Sequence, residues 1–165
     1  MVAVEDAEDL PALAGAYLLV FDLLGPVTVA LPGRPAATLA EGRYLYAGSA
    51  HGSGGIRARV RRHLKGGKTV RWHVDRLTNA AGAAAVIGFP DGDECALAAY
   101  ALSLPGAVVP APGFGSSDCR RCPSHLIRVA DDWDAETELA ARAAVIWRRP
   151  PAVCFWLPPP GRRAP

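Results

Sequence analysis

Residues Ala16–Leu24 read AYLLVFDLL, a nearly continuous apolar run with aromatic and β-branched side chains. That pattern predicts a buried strand. Gly25-Pro26 turns the chain, and Val27–Leu31 (VTVAL) reads as the antiparallel partner of the first strand. Pro32-Gly33-Arg34-Pro35 breaks the chain again, and after Glu41-Gly42 the segment Arg43–Gly48 (RYLYAG) alternates as a third strand. Ser53-Gly54-Gly55 then opens a helix to about Leu64, stopped by Gly66-Gly67, with Ile56, Val60 and Leu64 at i, i+4 and i+8 as its buried stripe. Arg59 and His63 lie together along one border of that stripe, Arg57 and Arg61 border the other, and Arg62 points outward. A shorter helical piece over Trp72–Leu77, a strand over Ala84–Phe89 and a helix from the Asp91-Gly92-Asp93 cap to Leu104 follow. A small antiparallel or mixed sheet followed by helices, without repeated βαβ units, predicts an α+β fold.

Further out, His125–Ala130 is strand-like and Asp134–Trp147 reads as an Ala-rich amphipathic helix. The Pro-rich end is expected to be an extended tail whose apolar centre, Val153–Leu157, docks on the domain. The resulting division is an acidic lead over 1–14, a domain over 15–130, and a helix with tail over 131–165. With 165 residues, half of them hydrophobic and 21% charged, the chain can bury a core without a disulfide framework. No apolar run approaches the roughly 18 to 20 residues of a membrane span. Glu5, Asp6, Glu8 and Asp9 stand where a signal peptide needs positive charge, so a soluble cytoplasmic protein is expected.

The formal charge of +2 hides an asymmetry. Between Ile56 and Arg76 lie Arg57, Arg59, Arg61, Arg62, Lys65, Lys68, Arg71 and Arg76, against Asp75 alone. A localised basic strip fits a polyanionic partner, and equally a solvated basic face. Trp72-His73-Val74-Asp75 within it offers an aromatic ring for stacking and a His/Asp pair; a core Trp and a satisfied helix-end His explain it as well. Cys119-Arg120-Arg121-Cys122-Pro123-Ser124-His125 is C-x2-C-x2-H, with Cys95 upstream as a possible fourth ligand. Thiolates and imidazole at that spacing suit tetrahedral zinc, while packed, reduced thiols are the plain alternative. Cys154 has no evident partner.

Gly15-Ala16-Tyr17 on the first strand, Tyr46-Ala47-Gly48 on the third, Arg59 with His63 on the next helix, and Glu94 at the start of a later one form an ordered set. This order resembles the GIY-YIG endonuclease superfamily, which cleaves DNA at a phosphodiester using one divalent metal. The likeness extends through Leu45–Ala50, Gly54–His63, RWHVDRL at 71–77, Glu94-Cys95 and Gly113–Leu126, a string similar to a poorly characterised branch of small prokaryotic proteins. Two departures stand out. Ala16 replaces the usual branched residue, and the 28 residues between Tyr17 and Tyr46 require an inserted hairpin or loop.

The resemblance implies a metal-dependent nuclease acting on DNA, with RNA not excluded, in repair or processing. Tyr46 would be the general base, Tyr17 a supporting phenol, Arg59 the phosphate clamp, His63 a phosphate ligand or proton-transfer aid, and Glu94 the ligand to Mg²⁺ or Mn²⁺. Glu94 falls close to the direction of Leu97, Ala101 and Leu104 on a helical wheel, which points its carboxylate to the core edge; a capping role near Asp91 or Asp93 is the alternative. Arg57, Arg61, Arg62, Lys65 and Lys68 are expected to make non-specific phosphate contacts. The rival readings are a nucleic-acid-binding module that has lost cleavage, and a zinc-stabilised interaction protein.

Overall fold

The run that opens the sequence reading forms β2 (Gly15–Leu23), the central strand of a six-stranded mixed sheet. The computed structural model describes residues 2–70, 72–81, 85–134 and 154–158. Around β2 the elements are β1 (Val2–Ala3), β3 (Val27–Val29), β4 (Ala37–Leu39), β5 (Gly42–Ser49), α1 (Gly55–Leu64), α2 (His73–Ala81), β6 (Ala85–Pro90), α3 (Glu94–Leu102), β7 (Leu126–Arg128) and β8 (Phe155–Leu157). The fold is α+β, and the sheet runs in the order β1-β8-β6-β2-β5-β7. Among the described residues no helix is long and apolar enough to cross a membrane.

Period-two alternation explains why β2 shows no polar face. Tyr17, Leu19, Phe21 and Leu23 enter one core, beneath α1 and α2. Ala16 and Leu18 enter the other, beneath α3, with Val20 at its edge. Both faces are covered, so both sets are apolar. The run ends where Asp22 emerges and meets the Arg43 guanidinium at 2.8 Å.

The expected pairing of Val27–Leu31 with the first strand does not form. β5 and β6 occupy the two edges of β2, in antiparallel register along its length. No ladder remains for a third neighbour, and β3 pairs instead with β4 in a separate two-stranded hairpin. This hairpin is the insertion between the two tyrosine motifs.

The helices follow their apolar spacing with shifted ends. α1 buries Ile56, Val60 and also His63, with Leu64 only half-buried. α2 continues to Ala81, past the expected Leu77, because Leu77 and Thr78 extend its buried side. Asp93 caps α3, accepting a hydrogen bond from the Ala96 N–H at 2.7 Å. The apolar centre of the C-terminal segment docks as a strand: β8 pairs with β6, and β1 pairs with β8. Most of the helix expected over Asp134–Trp147, and the last residues of the chain, lie outside the described residues.

Candidate functional site

The β2–β5 register sets Leu19 opposite Tyr46 and Tyr17 opposite Gly48, which places both tyrosines on one face, diagonal to each other. Glycine at 48 is a requirement of space. A Cβ there would stand 2.2 Å from Tyr17 Cζ and 2.3 Å from its hydroxyl oxygen, because the phenol lies across the neighbouring strand. At Gly15 a Cβ would meet the Phe89 carbonyl oxygen at 2.2 Å, since β6 closes against it. The two glycines of the tyrosine motifs are thus fixed by the packing of the sheet.

A cleft of about 470 Å³ opens above this face, and Tyr17, Tyr46, Arg59, His63 and Glu94 all line it. They come from β2, β5, α1 and the first turn of α3, so the five residues singled out in the sequence share one cavity. Asp118 and His125 also reach it. Arg59 lies over the indole of Trp72, its Cζ 4.5 Å from the ring centroid, a cation–π contact that holds the guanidinium at the cleft wall.

Behind Tyr17 runs a chain of hydrogen-bonding groups. The Tyr17 hydroxyl is 2.7 Å from His63 Nε2, and His63 Nδ1 faces Asp75 Oδ1 at 3.5 Å. Asp75 is fully buried and accepts from Arg62 Nη2 at 2.5 Å and from the Trp72 backbone N–H at 3.0 Å. Burial, with the nearby Lys68, Arg62 and Arg59 charges, lowers the His63 pKa to about 4 against the pull of Asp75. Burial, then the neighbouring Tyr46, raises that of Tyr17 well above its usual value. A neutral imidazole beside a protonated phenol fixes the polarity: Tyr17 O–H donates to Nε2, and the imidazole proton sits on Nδ1, toward Asp75. Both ring nitrogens thus face protein groups. Tyr46 is likewise raised, first by burial and then by Asp75, so it also keeps its proton near neutrality. The sequence offers Asp75 as a partner for His73, whereas in the fold it faces His63. Its signal was its isolation, one acid among eight bases.

This arrangement predicts a pH dependence of stability. Unfolded His63 protonates near 6.5, the folded residue near 4, so in that window the unfolded chain binds more protons and stability falls as pH falls. From about pH 7.5 to pH 5 the wild type should lose about 2 kcal/mol more than His63→Gln, which keeps a polar amide and does not titrate. Urea unfolding of both proteins at the two pH values measures it, and equal losses would show that His63 is not held neutral.

The basic strip is largely engaged with the protein itself. Arg57 Nε donates to the Leu10 carbonyl at 2.6 Å, and Arg61 pairs with Glu8 at 2.7 Å on the surface. Arg62, expected to point outward, turns onto Asp75 and the Thr69 carbonyl. Lys68 is buried, its ammonium donating to the carbonyls of His63 and Lys65 and to Asn79 Oδ1. Lys65 is exposed.

The cysteine motif closes on Cys95 at the start of α3. One ligand atom from each of Cys95, Cys119, Cys122 and His125 lies within 4.8 Å of the others, a group that could hold a metal ion. Cys95 Sγ is 3.5 Å from Cys119 Sγ and 4.0 Å from His125 Nε2. Zn–S bonds of about 2.3 Å give tetrahedral edges near 3.8 Å, so the set has the size of a zinc site. The backbone N–H groups of Arg121 and Cys122 point at Cys119 Sγ at 3.4 and 3.3 Å and lower its pKa to about 7. Burial and the neighbouring thiols push Cys122 up to about 12. One thiolate already stabilised beside two that burial keeps protonated is a set whose remaining protons a dication would displace.

Neither the curated proteins nor the solved structures contain a match to the chain. One family model matches residues 16–147, taking in β2 through β7 and with them both tyrosines, Arg59, His63, Glu94 and the cysteine motif. The chain therefore belongs to the family described as domain of unknown function DUF123.

Proposed function

We propose that the protein is a metal-dependent endonuclease of GIY-YIG type that hydrolyses DNA phosphodiester bonds, within the reducing cytoplasm that its thiol cluster suits. The observation that carries this reading is one cleft lined by Tyr17, His63, Arg59 and Glu94, with the buried Asp75 carboxylate behind His63.

Hydrolysis needs a proton acceptor for the attacking water and positive charge on the phosphate. Tyr17, rather than Tyr46, has an acceptor behind it. The phenol relays the water's proton in one concerted step: its own proton moves to His63 Nε2 as the water's moves to the Tyr17 oxygen, so no free phenolate forms, and the Asp75 carboxylate offsets the charge that develops on the imidazole. Tyr46, which retains its proton, serves as a hydrogen-bond donor toward the phosphate. Arg59, steadied on Trp72, offers two parallel N–H groups to the phosphate oxygens.

Glu94 is half-buried in this polar cleft, and its charge reaches both tyrosines and His125. A carboxylate in that setting has the hard oxygen chemistry that Mg²⁺ or Mn²⁺ prefers, and Glu94 would hold the ion. When bound, such an ion supplies positive charge to the phosphate and the leaving oxygen. Zn²⁺ would go to the adjoining Cys95, Cys119, Cys122 and His125 group, which shares His125 with the cleft and whose soft donors suit it.

Labelled duplex, nicked, branched and single-stranded DNA, incubated with and without Mg²⁺ or Mn²⁺, tests the proposal. Cleavage should require the metal, and Tyr17→Phe should reduce its rate by about 10²- to 10⁴-fold. Tight binding of every DNA without cleavage under either ion would leave the binding-module reading in its place.

A further inference from the structure

We infer that the cleft continues past Trp72 into a second cavity that receives an unpaired nucleobase next to the phosphate to be cut, so the substrate is DNA with a single-stranded or splayed stretch. The inference rests on the endonuclease reading and adds to it the form of the substrate.

The second cavity, of about 220 Å³, shares Trp72 and His73 with the cleft. Val29 and Pro32, on and just after β3, contribute to its wall, together with Phe114 and Arg76. The inserted segment between the tyrosine motifs therefore builds part of a pocket beside the candidate active site. Its lining is apolar and aromatic with one added cation, and no carboxylate occurs among its described lining residues. Such a wall suits a flat, uncharged ring attached to an anionic backbone.

Trp72 makes the case specific. Its side chain is 44% exposed, in the middle of the most basic segment of the chain, and neighbouring Val70 is 45% exposed. A ring that size is ordinarily kept from water, since burying apolar area gains about 25 cal/mol per Å². Here the indole is instead anchored at the surface: its backbone N–H bonds to the buried Asp75, and Arg59 lies over the ring. An exposed, pre-oriented aromatic platform flanked by Arg59 and Arg76 is the device that single-strand binders use for base stacking. Arg59 would hold the phosphate on the cleft side while the adjoining base stacks at Trp72. Paired bases in a duplex are stacked on each other and cannot enter without being unpaired, which costs a few kcal/mol.

The test uses Glu94→Gln as a background that binds DNA without cutting it. Equilibrium binding is compared for a fully paired duplex and the same duplex with an unpaired gap carrying 2-aminopurine. The background should prefer the gapped DNA by about tenfold or more, and Trp72→Ala, which also frees Arg59 and so weakens phosphate binding on both DNAs, should weaken gapped-DNA binding at least about fivefold more than it weakens duplex binding. Trp72→Phe should retain most of the preference. Binding should quench the 2-aminopurine in the background and much less in Trp72→Ala. Equal affinity for the two DNAs, or an equal loss on both in Trp72→Ala and in Trp72→Phe, overturns the base pocket while leaving the endonuclease reading intact. Failure of the background to bind either DNA overturns both.

Discussion

On the endonuclease reading, Glu94→Gln is expected to leave the protein folded and able to bind DNA, yet to lower metal-dependent cleavage by two or more orders of magnitude, a rise of at least ~2.7 kcal/mol in the barrier. The expectation of an intact fold follows from the local structure. The N-cap of α3 is Asp93, whose carboxylate accepts the Ala96 N–H, so the helix end does not depend on Glu94. A first-turn carboxylate gains only about 0.3 to 1 kcal/mol from the helix dipole, and an amide of the same shape forfeits no more than that. The loss therefore falls on the chemistry, because the amide keeps the shape and removes the charge that would hold the ion. Thermal unfolding, DNA binding and initial cleavage rates on the same preparations separate the effects. Undiminished cleavage would move the active site elsewhere.

Removal of zinc is expected to act on stability and activity together. Structural zinc in small sites carries apparent binding free energies of about 10 to 16 kcal/mol. Protein purified without added metal should hold close to one zinc per chain, and a strong chelator should lower its unfolding midpoint by ten degrees or more. Cys119→Ser should do the same without chelator, since Cys119 is the thiol that two backbone N–H groups prepare as a thiolate. The chelated protein should also lose cleavage, because Cys95 and Glu94 are adjacent in the first turn of α3 and His125 belongs to both the cleft and the cysteine group. Zinc-free protein with four freely titrating thiols would leave these cysteines as small packed side chains.

The family resemblance carried the grouping of the tyrosines with Arg59, His63 and Glu94; local patterns carried the central strands and helices α1, α2 and α3. Each depends on a period or a turn residue that the chain states within a dozen positions: alternation in β2 and β5, four-residue spacing in α1, the Asp93 cap of α3. Strand pairing was less legible. Val27–Leu31 follows a Gly-Pro turn and resembles the second arm of a hairpin, but which strand wins the edge of β2 depends on β5 and β6, whose claims are set by the whole core. The chain of groups behind Tyr17 was half legible. His63 could be placed on α1, but its partner Asp75 comes from α2, and only the packing of both helices on β2 and against each other brings them together. The same distance hid the state of the basic strip, where Arg62 and Lys68 look like solvent-facing cations in the sequence and are tied to Asp75, backbone carbonyls and Asn79 in the fold.

The main sheet tapers. β2 has nine residues and β5 eight, whereas β1 at one end has two and β7 at the other has three. A sheet buried on both faces is assembled from strongly apolar strands, and such strands with open ladders readily recruit further copies into aggregates. Here the longest strand, β2, is interior and laddered on both sides, and β5 and β6 each carry a short strand on their outer side. The edges offer only two- and three-residue ladders, too short to template another chain. Among the described residues the taper leaves the open ladder to short strands, the arrangement that limits recruitment of further chains.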